Sequence, residues 1–457
     1  MGVKRRHPVR TALMLTLLAY VLAAVIPYAF PPGSPEAAPA FSADLLTPAQ
    51  GERATLLATG EEAMKARLDL IARAERSLVV GSYLFADDES GLDIASALLS
   101  AADRGVEVRI LVDGLVGGLN LLGGDLGYVL GAHENVELRF YQPVNLLSPW
   151  SLNARYHEKY VIMDDRAFVL GGRNISDEFL TPQQTPGAND DLDILVWCES
   201  ADGCGAVEDL LAYVNTLWEE RCVAQYQSVP SWKRRSVEEL TQALAQRYET
   251  LRPASLVDWA SRTAPLDAYG IVVNPTVPSV KEPTAWNALI SLMAEAQERV
   301  WVLTPYLVLD GRMRDDLSAV AGLPSDMRVI TNSRASGNNI VASADMLLHK
   351  GMITGMDLTL YETQRETSLH TKALLIDDDL AAFGSFNFDM RSAYIDTEIM
   401  FVAQSQAINA QLARMMENLM ADSRTASGGA DEQPVSWGKE FVIYLLSPFV
   451  SLVRFLV

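Results

Sequence analysis

The chain has 457 residues, enough for two or three domain-sized units, and is 49% hydrophobic and 21% charged. Its 58 acidic against 37 basic residues give a formal net charge of −21, a body that repels polyphosphate and argues against a general nucleic-acid binder while leaving room for a small basic site. None of its three cysteines has CxxC spacing or a neighbouring histidine, which argues against a zinc site; Cys198 and Cys204 lie close enough to form a disulfide outside the cytoplasm, with Cys222 left over.

The N-terminus reads MGVKRRHPVR and then TALMLTLLAYVLAAVIPYAF, an apolar run near the length that spans a bilayer. The basic flank predicts a cytoplasmic N-terminus and an exported body. Cleavage of a signal sequence is the alternative, but the A-x-A of Ala38 to Ala40 lies far from the run and contains Pro39, so an uncleaved anchor is expected. Residues 1–43 are thus read as anchor and Pro/Ala-rich linker. Helical spacing from Glu61 to Arg76 is followed by an apolar strand, LVVGSYLF, from Leu78 to Phe85. A helix over Asp93 to Arg104 and a strand over Val106 to Asp113 come next. The glycines of Gly114 to Gly127 fit neither a dinucleotide nor a P-loop spacing and predict a mobile loop. VELRFYQP is another strand.

The second half replays this order. AQERVWVLTPYLV matches AERSLVVGSYLF, MRVITN matches VRILVD, and MDLTLYE matches VELRFYQ. Ordered recurrence over 213 residues, from His157 to His370, predicts two homologous α/β lobes: 44–227 and 277–425, joined by a polar connecting segment at 228–276 that carries SWKRRS. The last part, 426–457, is a flexible joint and the apolar FVIYLLSPFVSLVRFLV, which contains Pro448 and Arg454. It predicts an interfacial or re-entrant helix, or a terminal helix docked on the body.

The repeat reaches chemistry at HEKYVIMDDRAFVLGGRN, from His157 to Asn174, and HTKALLIDDDLAAFGSFN, from His370 to Asn387. Both read H-x-K, four residues, D, six residues, G-[GS]-x-N, with an acidic position beyond: Asp193 in DLDILV and Glu398 in DTEIMFV. Alternation along a strand sends His157 and Lys159 to one face, and likewise His370 and Lys372. A Gly-[Gly/Ser]-x-Asn turn brings backbone N–H groups and an amide, Asn174 or Asn387, toward an anion. An imidazole, an ammonium and an amide make half of a phosphate site, and two facing halves make a whole one. His133 and His349 lack this frame. A metal is not expected, because each histidine is paired with a lysine that would repel it.

The doubled frame resembles that of the phospholipase D superfamily over about residues 55 to 420. GGRNISDEF, LHTKALLIDD and GSFNFDMRSAYIDTE resemble its bacterial cardiolipin synthases, in the branch with a single N-terminal membrane segment. Gly172 in the first copy, against Ser385 in the second, fits that branch and leaves the second half with the richer phosphate cradle. The resemblance implies two phospholipase D-like α/β/α lobes packed pseudo-symmetrically around one active site. It also implies transfer of a phosphatidyl group through a phosphatidyl-histidine: His157 attacks and His370 acts as acid and then base, or the two exchange these roles, and Lys159, Lys372, Asn174 and Asn387 hold the phosphate. Glu398 would orient His157 and Asp193 would orient His370, while Asp164 and Asp377 would be structural. No cofactor is implied. The implied acceptor is phosphatidylglycerol and the donor phosphatidylglycerol or phosphatidylethanolamine, at the bacterial inner membrane with the body on the periplasmic side. Hydrolysis of phospholipids to phosphatidic acid and cleavage of nucleic acid by a membrane-anchored nuclease are the alternatives within the superfamily.

Overall fold

The computed structural model describes residues 8–30, 41–181, 188–199, 203–220, 223–225, 229–426 and 435–457. The basic first residues, most of the Pro/Ala-rich linker, Cys222 and the joint at 427–434 lie outside them.

Among the described residues each lobe builds a nine-stranded mixed sheet. In the first, the order is Val223–Gln225, Val136–Tyr141, Glu107–Asp113, Ser77–Ser82, Tyr160–Met163, Ala167–Gly171, Asp193–Cys198, Glu52–Leu57, Ala264–Pro265. In the second it is Ser423–Thr425, Thr359–Thr363, Asp326–Asn332, Arg299–Leu303, Ala373–Ile376, Leu380–Gly384, Ile399–Gln404, Ala268–Val273, Thr47–Pro48. In each sheet three strands before the H-x-K pair in parallel, Ser77–Ser82, Glu107–Asp113 and Val136–Tyr141 in the first and Arg299–Leu303, Asp326–Asn332 and Thr359–Thr363 in the second, and the two strands that follow the H-x-K pair antiparallel. Parallel strands need crossover helices, and these cover the outer face; the run Leu78-Val79-Val80 is apolar throughout because both faces are buried. Leu78 and Val80 enter the outer core and Val79 the inner one.

The two inner faces meet in one apolar cluster, with Phe168 edge-on to Phe401 at 5.4 Å and the helices Gly205–Trp218 and Gln406–Ala421 packed into it. The lobes also exchange edge strands. Thr47–Pro48, which leads into the first lobe, pairs with the second sheet, and Ala264–Pro265, which leads into the second lobe, pairs with the first. Two-residue strands carry no periodic signal, so this exchange is invisible in sequence. The second lobe therefore begins before residue 277: Ala268–Val273, assigned from sequence to the connecting segment, is a six-residue strand of its sheet. The remainder of that segment is chiefly the helix Arg234–Leu251, which packs Val237, Leu244 and Tyr248 on the first lobe.

The glycine-rich stretch 114–127 is not a loop. It forms the helices Val116–Leu121 and Asp125–Ala132, the first entered through Asp113 Oδ1, which accepts from the N–H groups of Leu115 (2.9 Å) and Val116 (2.8 Å). Gly117 serves close packing: a Cβ there would lie 3.0 Å from Val112 Cβ and 3.2 Å from the Tyr83 carbonyl. Cys198, which ends its strand, and Cys204, which caps helix Gly205–Trp218, are joined as a disulfide.

At the two ends of the chain, helix Pro8–Val25 stands with its apolar side chains bare, and Val9–Tyr28 is long and apolar enough to cross a membrane. The helix Trp437–Val450 lies on helix Ile340–Ile353 through Ile443 and Val450, and so is docked on the body.

Candidate active site

His157 and His370 each stand three residues before a strand that hydrogen-bonds to the lobe's first parallel strand, Ser77–Ser82 or Arg299–Leu303. The sheets place both at the strand ends where the lobes meet. Asp164 and Asp377 sit at the opposite ends of those strands, in left-handed turns with φ of 50° and 46°. Asp164 accepts from the N–H groups of Glu75, Arg76 and Ser77, and Asp377 from those of Gln297, Glu298 and Arg299. These are matching structural knots, away from the histidines.

Each imidazole is held by a carboxylate of the other lobe. His157 Nδ1 lies 2.9 Å from Glu398 Oε1, and His370 Nδ1 lies 2.6 Å from Asp191 Oδ2. Two parallel bridges bring the segments together: Tyr156 with Thr397, and Ser368–Leu369 with Asn189–Asp190. Rings close the outer sides, Tyr83 edge-on to His157 at 5.1 Å and Phe179 edge-on to His370 at 5.0 Å. Lys159 and Lys372 reach back to the carbonyls of their own histidines, and Lys372 Nζ lies 3.1 Å from His370 Nε2.

Asp193 does not orient His370. Its carboxylate is buried between Arg67 at 2.9 Å and Arg173 at 3.4 Å, inside the first lobe. The strand register gives the reason. Gly171 pairs with Asp193 and Gly384 with Met400, so Asp193 corresponds to Met400, and Asp191 corresponds to Glu398.

Ser385 also differs from expectation. Its hydroxyl donates to Glu398 Oε2 and accepts from the Ile399 N–H at 3.0 Å, so it braces the carboxylate rather than facing a phosphate. Ser392 adds a second hydroxyl to Glu398, at 2.5 Å. In the first lobe Gly172 takes the place of Ser385 because Asp191 fills the space: a Cβ at Gly172 would lie 2.3 Å from Asp191 Oδ1. Asn174 and Asn387 are buried beside their histidine segments. Asn174 Oδ1 accepts from the Leu84 N–H at 3.2 Å, which leaves its NH₂ to donate, and Asn387 Oδ1 has no partner among the described residues.

Burial and the neighbouring Lys159 push His157 well below the usual imidazole range. Burial and Lys372 push His370 down to about 3, against the pull of Asp191. Each imidazole is depressed further by the lysine of the other lobe, so the two halves share one electrostatic site. Burial lowers Lys159 to about 7 and Lys372 to about 8, opposed by Glu398 and Asp191. The two carboxylates diverge. Burial raises Glu398 to about 7, whereas at Asp191 burial is outweighed by His370, Lys372 and Arg173, which keep it ionised. The arrangement offers neutral imidazoles with Nδ1 engaged by a carboxylate, and two ammonium groups poised to gain from an incoming anion.

The residues missed in sequence are Asp191, Ser392, Tyr83 and Phe179. Tyr83 had a visible signal, because SYLF recurs as PYLV with Tyr306 at the matching place.

A family model described as "Cardiolipin synthase, PLD-like domain" matches residues 68–218 and 289–420. Cardiolipin synthase C of Escherichia coli (strain K12) is 30% identical over 393 residues, which cover 76% of this chain and 80% of that protein. Cardiolipin synthase 2 of Bacillus anthracis is 26% identical, over 75% of this chain and 60% of that protein. In fold, the crystal structure of phosphatidylserine synthase from Haemophilus influenzae Rd KW20 superposes with a TM-score of 0.68 at 14% identity, covering 91% of this chain and 98% of that one. The two matched segments each hold one H-x-K frame and together span more than half of the sequence, so the chain belongs to the phospholipase D-like family of cardiolipin synthases.

Proposed function

We propose that this protein is a membrane-anchored phosphatidyltransferase that moves a phosphatidyl group from a donor phospholipid to phosphatidylglycerol and so makes cardiolipin. The observation that carries this reading is the crossed pairing of His157 with Glu398 and of His370 with Asp191. Each pairing fixes a ring by Nδ1, with Nε2 turned to the chemistry at His157 and shared with the Lys372 ammonium at His370, and the two rings come from opposite lobes.

In the first step Nε2 of His157 bonds to the phosphorus of the donor while the bond from phosphorus to the headgroup oxygen breaks. His370 gives its proton to that oxygen. Burial keeps His370 neutral in the free site, but the negative charge of a phosphodiester offsets the lysines and, with ionised Asp191, favours proton uptake as substrate arrives. In the second step His370 takes the proton of the acceptor hydroxyl, whose oxygen bonds to phosphorus and releases His157. Lys159 and Lys372 meet the non-bridging oxygens, with the NH₂ groups of Asn174 and Asn387, and their attraction grows with charge in the transition state. The donor is phosphatidylglycerol or phosphatidylethanolamine, and the body lies on the periplasmic side of the inner membrane, held by Val9–Tyr28.

The test is lipid mass spectrometry of a cardiolipin-free bacterium expressing the full chain, with His157→Ala and His370→Ala as controls. Cardiolipin from the parent chain and neither variant is the expected result. Phosphatidic acid in its place would assign hydrolysis.

A further inference from the structure

The N-terminal helix meets the body at a defined junction. Helix Pro8–Val25 ends in the short turn Ile26–Tyr28, and Tyr28 is buried in the second-lobe core. The Tyr28 hydroxyl donates to the Trp150 carbonyl at 2.6 Å, and Asn153 Nδ2 donates to the Ala24 carbonyl at 2.5 Å. The loop that runs into this junction carries Leu146 and Leu147, 69% and 89% exposed, and the half-exposed ring of Trp150. Three large apolar side chains standing bare beside the foot of an apolar helix need a reason.

The other end of the chain reaches the same spot. Helix Trp437–Val450 buries Ile443 and Val450 but leaves Trp437, Phe441, Tyr444 and Leu445 exposed, a stripe at helical spacing on its far side. Its continuation places Phe455 in the apolar cluster that holds Tyr28. Arg391 gathers the three segments: its backbone N–H donates to the Val457 carbonyl at 3.1 Å, and its guanidinium donates to the carbonyls of Leu456 and Asn153. The same guanidinium holds Asp396 at 2.7 Å, two residues from Glu398.

We propose that Leu146, Leu147 and Trp150, with the bare stripe of the last helix, form a second bilayer contact, set into the headgroup layer of the leaflet from which Val9–Tyr28 emerges. The occupant is phospholipid rather than another protein, because the hydrogen bonds of Tyr28 and Asn153 hold this loop at the point where the span leaves the membrane. Trp150 in the loop, and Trp437 and Tyr444 on the last helix, suit that layer. Through Arg391 and Asp396 the contact is linked to the segment that ends in Glu398. The proposal rests on Val9–Tyr28 crossing the bilayer and not on the transfer chemistry.

The test uses the full chain in phospholipid vesicles. Leu147→Cys, and separately Asp378→Cys in the turn at the far end of the strand after His370, are made in a Cys222→Ser background and labelled with an environment-sensitive fluorophore under non-reducing conditions. Phospholipids brominated along the acyl chain should quench the label at 147 and spare the label at 378. An unquenched label at 147 in protein that resists alkaline extraction overturns the proposal and leaves the anchor intact. Protein released by alkaline extraction overturns both. Paired Leu146→Glu and Leu147→Glu should lower kcat/KM on vesicle lipid about tenfold, from lost apolar burial, and leave turnover of a short-chain, monomerically dispersed substrate unchanged. Equal loss on both substrates also overturns it.

Discussion

His370 Nδ1 lies 2.6 Å from Asp191 Oδ2, while Asp193, two residues further on, is locked between Arg67 and Arg173. The two carboxylates therefore fail differently when neutralised. Asp191→Asn should lower kcat by about 10²-fold or more, far beyond what its loss of stability explains, because His370 loses the group that orients it and supports its charged form. Asp193→Asn removes one partner from a buried triad and leaves two guanidinium groups uncompensated, a cost of roughly 3–5 kcal/mol in stability. Thermal melting beside steady-state kinetics separates them; loss of stability in Asp191→Asn with kcat retained would reverse the assignment.

Gly172 and Asp191 form a matched pair, as Ser385 and Glu398 do. A serine at 172 would place its Cβ 2.3 Å from Asp191 Oδ1, so the carboxylate must move away from His370. Gly172→Ser should cost about tenfold or more in kcat, since a displacement near 1 Å at an orienting group is enough. Asp191→Glu alone should also lose activity, because the longer side chain overshoots the ring. The double variant copies the Ser–Glu arrangement of the second lobe and should recover part of the loss. A double-mutant cycle reads this as favourable coupling, and strict additivity would refute the matching.

The sequence carried the lobes and both histidine pairs for one physical reason: each signal occurs twice at the same order and spacing, from SYLF and PYLV to the H-x-K frames. What it could not carry was the choice between Asp191 and Asp193. In DDLD both carboxylates fall at the same parity, so alternation sends them the same way, and only the pairing of Gly171 with Asp193 shows which one precedes the strand. At Ser385 spacing shows that a hydroxyl is near the turn but not that Glu398 has already engaged it. The glycines of 114–127 read as mobility in sequence because composition does not distinguish glycine that loosens a chain from glycine that lets Val116–Leu121 sit against Val112. The exchanged strands Thr47–Pro48 and Ala264–Pro265 are too short to have a period at all.

The disulfide between Cys198 and Cys204 ties the end of a first-lobe strand to the start of the helix that packs between the lobes. Closing so short a loop restricts the unfolded chain modestly, by about 2 kcal/mol on the chain-entropy model. Cys204→Ser should lower the melting temperature by about 2–4 °C without changing kcat. Reducing agent should produce the same shift in the parent chain and none in the variant. A parent chain insensitive to reductant, with both thiols free to alkylation after denaturation, would show that the bond does not form.

Activity and stability should respond to pH in opposite directions above neutrality. Burial lowers Lys159 to about 7 and Lys372 to about 8, so the charge that attracts phosphate is present in the free site below these values and lost as pH rises through them. Burial raises Glu398 to about 7, so the ionised partner that makes His157 more basic appears only as pH climbs to that value. The kcat/KM profile should therefore peak between pH 7 and 8. The imidazoles themselves stay neutral there, His370 titrating at about 3 in the free site. Bound phosphate stabilises the ammonium groups, so the alkaline limb of kcat should lie higher than that of kcat/KM. Stability follows proton counts. From about 7 up to the ordinary lysine value of 10.5 the unfolded chain keeps lysine protons that the folded site has shed, so these groups add stability as pH rises. From 4.5 to about 7 the folded site holds a proton on Glu398 that the unfolded chain has lost, so that contribution falls as pH rises. The difference in melting temperature between the parent and Lys159→Met should thus move in favour of the parent between pH 7 and 10, while kcat/KM of the parent declines. A difference that stays flat over that interval would mean that Lys159 keeps an ordinary ammonium in the fold, and the alkaline loss of activity would then belong to another group.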